Sequence, residues 1–231
     1  MKANTANLIL SDITKTYPDA AGPVNILRGI TLTVEPGSAV AVVGPSGSGK
    51  STLLNIIGSL DKPTSGTVHL GEVSVTALEG KALAEFRANQ VGFVFQDHHL
   101  LPQLTALENV LLPTIPAGNA HSAEDRARAL LDRMGIAKRA DAFPGQMSGG
   151  ERQRTSVARA LINGAKLLLC DEPTGSLDSD TGSTLVSLLL ELAEQQKTTV
   201  ILVTHNAEHA ARCGIRLMLH EGRLVSHENG G

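Results

Sequence analysis

The sequence has 231 residues, of which 42% are hydrophobic, 20 are Lys or Arg and 23 are Asp or Glu. This length allows one large domain or two small ones with a full apolar core. The net charge of −3, without a basic run, argues against a nucleic-acid partner, because such proteins carry a basic surface. Cys170 and Cys213 cannot make a disulfide framework or a metal quartet, and they fit a reducing compartment. The first residues lack a signal peptide's apolar core, and no apolar run approaches the roughly 18 residues of a membrane span. We therefore expect any membrane role to come through a partner.

The chain opens with strand patterns. Strands are predicted at Leu8–Tyr17, 24–27, 30–34 and Ala39–Val43. The early strands alternate apolar and polar residues, whereas Ala39–Val43 is apolar throughout. This change predicts two sheets, one antiparallel and a central one that is mostly parallel.

Residues 44–52, GPSGSGKST, follow the last of these strands and match the phosphate-loop pattern G-x-x-x-x-G-K-[ST]. Glycines permit the positive φ that curls backbone N–H groups around a phosphate, and the helix opening at Lys50 points its positive end at the same anion. Lys50 can reach the β- and γ-phosphates, and the Ser51 hydroxyl can bind Mg²⁺. We predict that a nucleotide is bound by Gly44, Pro45, Ser46, Gly47, Ser48, Gly49, Lys50, Ser51 and Thr52.

The rest of the chain alternates helices and strands. A helix at 52–60, a turn at 61–66 and a strand at 67–70 precede a strand at 91–95 that delivers Gln96 to its end. No strand pattern occurs from 97 to about 155, where helices are predicted at 105–111 and 122–134, the second capped by Ser122. A strand at 167–169, helix at 179–195, strand at 199–204, helix at 206–213 and hairpin at 215–225 then follow. This order predicts an α/β domain with ligands at the carboxyl ends of its strands.

Two acids follow the apolar strand near residue 169. Asp171 is placed to hold Mg²⁺, and Glu172 to orient and deprotonate an attacking water. Further upstream, Ser148 and Glu151 form a capping-box pattern that predicts the start of a helix. Gly149 and Gly150 lower helix propensity there by roughly 1 kcal/mol each, and they leave a helix N-terminus that suits the approach of an anion.

Taken together, the motifs resemble those of the ATP-binding cassette ATPases. The phosphate loop, Gln96, SGGE at 148–151, the acids at 171–172, GSLD at 175–178 and VTH at 203–205 occur in that family's order. The resemblance extends from about residue 8 to 225. It implies an α/β fold with a phosphate-loop ATPase core, an antiparallel β subdomain and an inserted helical subdomain. The implied single domain, 1–231, has its core at 1–96 and 156–231 and its helical insertion, with the signature motif, at 97–155.

The resemblance also implies roles for individual residues. Tyr17 matches the aromatic residue that stacks on adenine, and Gln96 matches the glutamine that contacts Mg²⁺ and water. Ser148, Gly149 and Gly150 match the signature that binds ATP held by the other protomer, and Asp178 matches an acid that crosses the dimer interface. His205 matches the switch histidine that contacts the γ-phosphate and steadies Glu172. The implied groups are thus catalytic Glu172, His205 and Gln96, and Mg²⁺ ligands Ser51, Gln96 and Asp171.

The implied partners are ATP, Mg²⁺, a second copy in a head-to-tail dimer, and integral membrane transporter subunits that hold the chain at the cytoplasmic face of the membrane. Local sequences such as 58–66 and 91–96 resemble a bacterial branch of lipoprotein-releasing, macrolide-exporting and cell-division ATPases. A transporter subunit and a regulatory ATPase that transmits force without moving a substrate both stay open. A cassette ATPase of DNA repair or translation is disfavoured, because the chain has neither a long coiled-coil pattern nor a second cassette.

Three smaller predictions concern other residues. The turn at 100–102 is expected to contact the membrane partner, because its Leu-Leu-Pro has no obvious core role. Surface positions are expected for six histidines whose spacing matches no metal site, namely His98, His99, His121, His209, His220 and His227. Cys170 is expected to be a small buried hydrophobic residue.

Overall fold

A computed structural model describes residues 7–20, 22–118 and 123–226. These residues form two compact units. The first holds the described residues up to Leu83 and from Leu190 onward, and the second runs from Ala84 to Leu189. The predicted boundaries of the helical insertion, 97 and 155, stay a prediction.

The first unit contains a four-stranded antiparallel sheet in the order β2-β1-β4-β5. Its apolar face is built from buried alternate residues such as Leu8, Leu10, Ile30 and Val68, as the strand period requires. The strands are β1 (Leu8–Tyr17), β2 (Val24–Val34), β4 (Ser65–Leu70) and β5 (Val73–Ser74).

The sequence predicted two strands where the structure has the single strand β2. The interruption at Gly29 is a bulge rather than a break, because Arg28 pairs with Thr14 and Ile30 pairs with Ile13 of β1, leaving Gly29 between them. Gly29 has a φ of 81°, and a Cβ there would lie 2.8 Å from the Asp12 carboxylate. Pairing across the bulge keeps the strand continuous.

The first unit also contains strands paired in the order β10-β9-β3-β8. β3 is parallel to both β8 and β9, while β9 and β10 form the predicted hairpin with its turn at Glu221 and Gly222. Helix α1 follows β3 after a loop at 44–49, and helix α7 follows β8. Their bounds are β3 (Ala39–Val43), α1 (Lys50–Ile57), β8 (Thr199–Val203), α7 (Ala207–Ala211), β9 (Ile215–His220) and β10 (Arg223–Ser226).

The second unit pairs two parallel strands with helices. Strands β6 and β7 are in register from Val91 opposite Leu167 to Phe95 opposite Asp171. The core contains Val94 and Leu168 with Val157 of a helix, all fully buried. The elements lying wholly in this unit are β6 (Val91–Phe95), α3 (Ala106–Leu111), α4 (Glu124–Arg133), α5 (Gly149–Leu161) and β7 (Leu167–Asp171).

The division between the units falls within two helices, α2 (Gly80–Gln90) and α6 (Ser179–Gln196). The sequence did not predict α2, because Phe86 is its single buried residue and no apolar period marks it. Short 3₁₀ turns occur at Val75–Ala77, Leu112–Thr114, Ala137–Arg139 and Pro144–Gln146.

The predicted helix starts in the second unit have mixed outcomes. Ser148 and Glu151 form the predicted reciprocal cap of α5, and Thr105 with Glu108 forms another at α3. The predicted cap Ser122 lies outside the described residues, and α4 begins at Glu124 after Ala123, which makes no side-chain cap. No strand occurs in the described residues from 97 to 155, as predicted.

The observed pairing confirms the predicted fold class, α/β with a mostly parallel sheet and an antiparallel sheet. Among residues 7–20, 22–118 and 123–226, no helix has the length and apolar character that a membrane crossing requires.

Candidate functional site

The phosphate loop joins β3 to α1. At several of its positions, a residue with a Cβ would have a strained backbone or would clash with neighbouring atoms. Gly47 and Gly49 have φ values of 77° and 102°, in the left-handed region that favours glycine. A Cβ on Gly44 would lie 2.1 Å from the carbonyl oxygen of Leu219, and one on Gly49 would lie 2.9 Å from Leu27. These glycines therefore set both the curl of the loop and its close approach to neighbouring strands.

The start of α1 is left open by its cap residue. Gly49 is the N-cap of α1 and offers no side-chain cap to the N–H groups of the first turn. The Lys50 ammonium folds back over the loop and donates hydrogen bonds of 2.9 Å to the carbonyl oxygens of Gly44 and Pro45. The Ser48 hydroxyl is buried and, within the described part of the chain, has no hydrogen-bond partner. An anion held by the loop would meet open N–H groups, a lysine and a hydroxyl, so the residues present fit a phosphate.

Tyr17, at the end of β1, belongs to a cluster that the sequence did not reveal. Its hydroxyl donates a 2.5 Å hydrogen bond to Asp61 Oδ2, and the Lys15 ammonium lies 4.7 Å from the centre of its ring. Lys15 also donates 2.6 Å hydrogen bonds to Asp61 Oδ1 and to the carbonyl oxygen of Lys62. Both carboxylate oxygens of Asp61 are therefore occupied, one by the ring's hydroxyl and the other by the cation over the ring.

The protonation equilibria of this cluster reflect those contacts. The hydrogen bond to Asp61 raises the pKa of Tyr17, and burial and the carboxylate's charge act in the same direction, while a hydrogen bond from Thr52 opposes them. Burial acts to raise the pKa of Asp61, but hydrogen bonds from Lys15 and Tyr17 outweigh it and the pKa is lowered. Asp61 thus stays ionised and Tyr17 stays neutral over a wide pH range.

His205 follows the carboxyl end of β8 and is exposed. β8 is parallel to β3, with Val203 opposite Val42, so His205 leaves the same edge of the strands as the phosphate loop. Among the six histidines predicted at the surface, the prediction is wrong for His209, which is only 5% exposed on α7. His121 and His227 lie outside the described residues. Burial lowers the pKa of His209, and the charge of Arg212 acts in the same direction.

In the second unit, Gln96 and the two acids share one edge. Phe95 lies opposite Asp171 in the parallel ladder, so the next residues, Gln96 and Glu172, leave the carboxyl ends of adjacent strands. Glu172 has a φ of 48°, a left-handed conformation that costs a residue other than glycine about 1–3 kcal/mol. A Cβ on Gly175 would lie 2.9 Å from Gln96 Cδ, so this glycine lets the glutamine lie against the turn after Glu172.

The signature residues lie at the start of α5, next to the start of α6. The Ser148 hydroxyl accepts from the Glu151 N–H, as the cap requires. A Cβ on Gly150 would lie 2.8 Å from Thr181, so the two helix starts pack closely there. The Asp178 carboxylate accepts two hydrogen bonds from Thr181, one from the backbone N–H at 3.0 Å and one from the side-chain hydroxyl at 2.7 Å. These hydrogen bonds lower the pKa of the Asp178 carboxyl.

Helix α5 also contacts the segment that follows β6, through one buried side chain and one partly buried side chain. Gln153, fully buried, donates to the Phe95 carbonyl oxygen at 3.2 Å and is hydrogen-bonded to His98. Arg159 donates to the carbonyl oxygens of His98 and His99 at 2.7 and 2.6 Å. These contacts hold the residues on both sides of Gln96, and sequence reasoning missed them because they link positions far apart in the chain.

Each predicted residue thus falls into one unit or the other. The first unit contains Tyr17, the phosphate loop and His205, and the second contains Gln96, Asp171, Glu172, Ser148, the signature glycines and Asp178. Within the part of the chain that the structure describes, no group of three or more His, Cys, Asp or Glu side chains could hold a metal ion. Cys170 is fully buried, as predicted.

Three comparisons place this geometry among known proteins. Residues 27–175 match the family model described as ABC transporter. The chain is 46% identical over 219 residues to the lipoprotein-releasing system ATP-binding protein LolD 1 of Rhodopirellula baltica, covering 94% of this chain and 96% of that protein. It is also 46% identical to the macrolide export ATP-binding/permease protein MacB of Salmonella choleraesuis, covering 96% of this chain but 34% of MacB.

A solved structure agrees with the sequence comparisons. The dimeric structure of the ATP-binding cassette MJ0796 in a post-hydrolysis state, bound to ADP and Pi, matches with a TM-score of 0.86. The sequences are 37% identical, and the match covers 97% of this chain and 99% of that one.

Proposed function

The chain belongs to the ABC transporter family, and we propose that it is the ATP-hydrolysing subunit of a bacterial membrane complex that releases lipoproteins or exports small molecules. The single observation that carries the proposal is the phosphate loop, which has three glycines at positive φ and an uncapped helix start. Its buried Ser48 hydroxyl has no hydrogen-bond partner among the described residues, and together these features fit a bound phosphate. ATP is the proposed nucleotide, with Tyr17 against its base.

The chemistry proposed for the first unit is phosphate binding. Lys50 would exchange its two carbonyl acceptors for phosphate oxygens, since a charged acceptor makes the stronger hydrogen bond. Gly44, Pro45, Ser46, Gly47, Ser48, Gly49, Ser51 and Thr52 complete the proposed loop contacts, and His205 is proposed to hold the γ-phosphate.

The chemistry proposed for the second unit is water activation. Glu172 would take the proton of the attacking water, and Gln96 would orient that water from the adjacent strand end. Bound Mg²⁺ would supply charge neutralisation of the phosphate oxygens. Ser51, Gln96 and Asp171 are its proposed ligands, since hydroxyl, amide and carboxylate oxygens suit this ion.

The working form is proposed to be a head-to-tail dimer formed on ATP. Supporting this, the related cassette MJ0796 is dimeric with ADP and Pi bound. Ser148, Gly149 and Gly150 would bind the ATP of the partner protomer through the start of α5, and Asp178 would cross the interface.

The membrane partner is proposed to dock on the second unit, near the segment 97–112. A cavity of about 420 Å³ in the same unit is lined by residues that flank this segment in the sequence, including Phe93, Phe95 and Pro113. Phe95 meets the His99 ring edge-on, with ring centres 5.0 Å apart. Leu101 is 40% exposed, although Asn109, fully buried, holds its backbone N–H and C=O. MacB joins an ATP-binding part to a permease part in one chain, and this chain spans a third of it. A short apolar helix of a separate permease is therefore the proposed occupant, and it would hold the chain at the cytoplasmic face of the membrane.

Two substitutions test the assignment of binding and chemistry. Lys50→Ala should weaken ATP binding and hydrolysis together, because it removes a charge from the loop. Glu172→Gln should keep ATP affinity but slow hydrolysis by roughly 10²–10⁴-fold, the usual contribution of a positioned base. The measurements are ATP binding by calorimetry and phosphate release. Equal hydrolysis rates in Glu172→Gln and wild type would refute the assignment.

A further inference from the structure

The exposed ring of Tyr17 is held in place by a pair of charges rather than by apolar packing. The ring is 39% exposed, whereas Lys15, two residues earlier on the same face of β1, is 9% exposed. The Lys15 ammonium lies over the ring at 4.7 Å, within the range of a cation–π contact. One face of the ring is therefore covered, and a flat ligand can stack only on the other.

Asp61 joins the cation to the ring. Its Oδ1 accepts from Lys15 at 2.6 Å and its Oδ2 from the Tyr17 hydroxyl at 2.5 Å. Because one carboxylate binds both partners, moving the ring would break a hydrogen bond and a cation–π contact at once. The ring is thus restrained at its hydroxyl and over one face.

The carboxylate itself is anchored to the phosphate-binding helix and to β1. Asp61 lies in the turn after α1, where its N–H donates to the Asn55 carbonyl oxygen at 3.2 Å. Further along this turn, Thr64 donates to the Thr14 carbonyl oxygen at 2.8 Å, and its hydroxyl accepts from the Thr16 N–H at 2.9 Å. The ring is therefore positioned relative to α1, the helix whose start belongs to the phosphate loop.

We propose that Asp61 and Lys15 are positioning residues for the nucleotide base, which set the Tyr17 ring at a defined distance and angle from the phosphate loop. The inference rests on the proposed stacking of Tyr17 on the base. A ring fixed before binding loses less conformational freedom when a base stacks on it, so the pair contributes affinity without touching the nucleotide. A purine base offers a larger aromatic surface to this ring than a pyrimidine does, so the positioned ring should contribute more to ATP binding than to CTP binding.

The test compares ligands with and without a base. ATP, CTP and inorganic tripolyphosphate are titrated by calorimetry into wild type, Tyr17→Leu, Asp61→Asn and Lys15→Met. Tyr17→Leu should weaken ATP binding about 3- to 10-fold, which corresponds to the binding free energy of a stacked aromatic pair. It should leave tripolyphosphate binding unchanged. Asp61→Asn and Lys15→Met should each weaken ATP binding about 2- to 5-fold, CTP binding less, and tripolyphosphate binding not at all.

Matched controls come from an exposed ion pair that includes the residue next to Asp61. Lys62 and Glu79 form an ion pair at 2.8 Å with side chains 66% and 77% exposed, so Lys62→Met and Glu79→Gln remove equivalent charges without touching Tyr17. Both controls should bind ATP as wild type does.

A second readout follows the ring directly. The chain has one tyrosine and no tryptophan, so its intrinsic fluorescence reports Tyr17 alone. ATP should quench this fluorescence in wild type more than tripolyphosphate does, and less of that difference should remain in Asp61→Asn.

The outcomes separate the two ideas. If Tyr17→Leu keeps full ATP affinity, the stacking itself is wrong. If Tyr17→Leu loses affinity for ATP but Asp61→Asn and Lys15→Met do not, stacking stands and the positioning role is wrong. Equal losses for ATP and tripolyphosphate in Asp61→Asn would also overturn the positioning role, because they would place its effect at the phosphate loop.

Discussion

Gln153 donates a 3.2 Å hydrogen bond to the carbonyl oxygen of Phe95, so a fully buried side chain of α5 holds the residue that precedes Gln96. The same helix begins at the signature serine, Ser148. One rigid element therefore connects the proposed binding surface for the partner protomer's ATP with the segment that presents the proposed water-orienting glutamine. A displacement of α5 on dimer formation would be transmitted to Gln96 through this bond.

We first predict that Gln153→Leu lowers the rate of hydrolysis more than the affinity for ATP. Leucine has a similar size but leaves the Phe95 carbonyl oxygen and the His98 ring without this partner. The free energy of unfolding should fall by about 1–3 kcal/mol, as expected when buried polar groups lose a hydrogen bond. The checks are chemical denaturation, ATP binding and phosphate release.

A control distinguishes this from general destabilisation. Gln196→Leu changes an exposed glutamine at the end of α6 and should leave stability and turnover near the wild-type values. A Gln153→Leu protein that turns over ATP at the wild-type rate would show that α5 does not act through Phe95.

We next predict that Leu101→Asp uncouples the chain from the proposed membrane partner. The side chain is 40% exposed and the backbone is held by Asn109, so the substitution should leave the fold intact. Basal ATPase activity of the isolated chain should stay within a few-fold of wild type, and stimulation by the reconstituted permease should be lost. Val225→Asp, at an apolar residue 54% exposed on β10, is the matched control and should still respond. Full stimulation of a folded Leu101→Asp protein would place the contact elsewhere.

The third prediction concerns pH. Because the hydrogen bond to the Asp61 carboxylate stabilises the neutral phenol, the Tyr17 hydroxyl should ionise above the ordinary tyrosine pKa of 10.0. In Asp61→Ala the bond and the negative charge are both gone, so the transition should move to lower pH. Ultraviolet absorbance of tyrosinate gives this titration directly, since the chain has a single tyrosine. The same midpoint in both proteins would mean that Asp61 does not hold the hydroxyl in solution.

Local patterns predicted most of the fold, and the tertiary contacts account for what they missed. The bounds of β1 and β3 agree with the predicted ones, because apolar periodicity and a following Pro or Gly mark them. The cap of α5 by Ser148 and Glu151 was also predictable, since both partners lie within one helical turn. The prediction divided strand β2 in two because a glycine such as Gly29 usually interrupts a strand pattern. The bulge that keeps the strand continuous depends on pairing with β1, which the local sequence does not show.

The supporting contacts of the site were beyond sequence reasoning for a related reason. Lys15 and Asp61 are 46 positions apart, and Gln153 and Phe95 are 58 apart. Neither pair has a spacing rule, because each is created by the way elements pack rather than by one element's period. The phosphate loop is different, because its glycines, lysine and hydroxyl residues lie within one short stretch of sequence. Their order and spacing alone therefore predict phosphate binding.

The central claim, that hydrolysis occurs in composite sites of a head-to-tail dimer, is tested most directly by mixing two inactive variants. Lys50→Ala damages the phosphate loop and Ser148→Arg damages the signature, so each should hydrolyse ATP at a small fraction of the wild-type rate. In a heterodimer of the two, both defects fall in one site and the other site is intact. We expect phosphate release to rise well above that of either variant when they are mixed with ATP, under conditions where tagged chains are shown to form heterodimers. Proven heterodimers that release phosphate no faster than the separate variants would contradict the account.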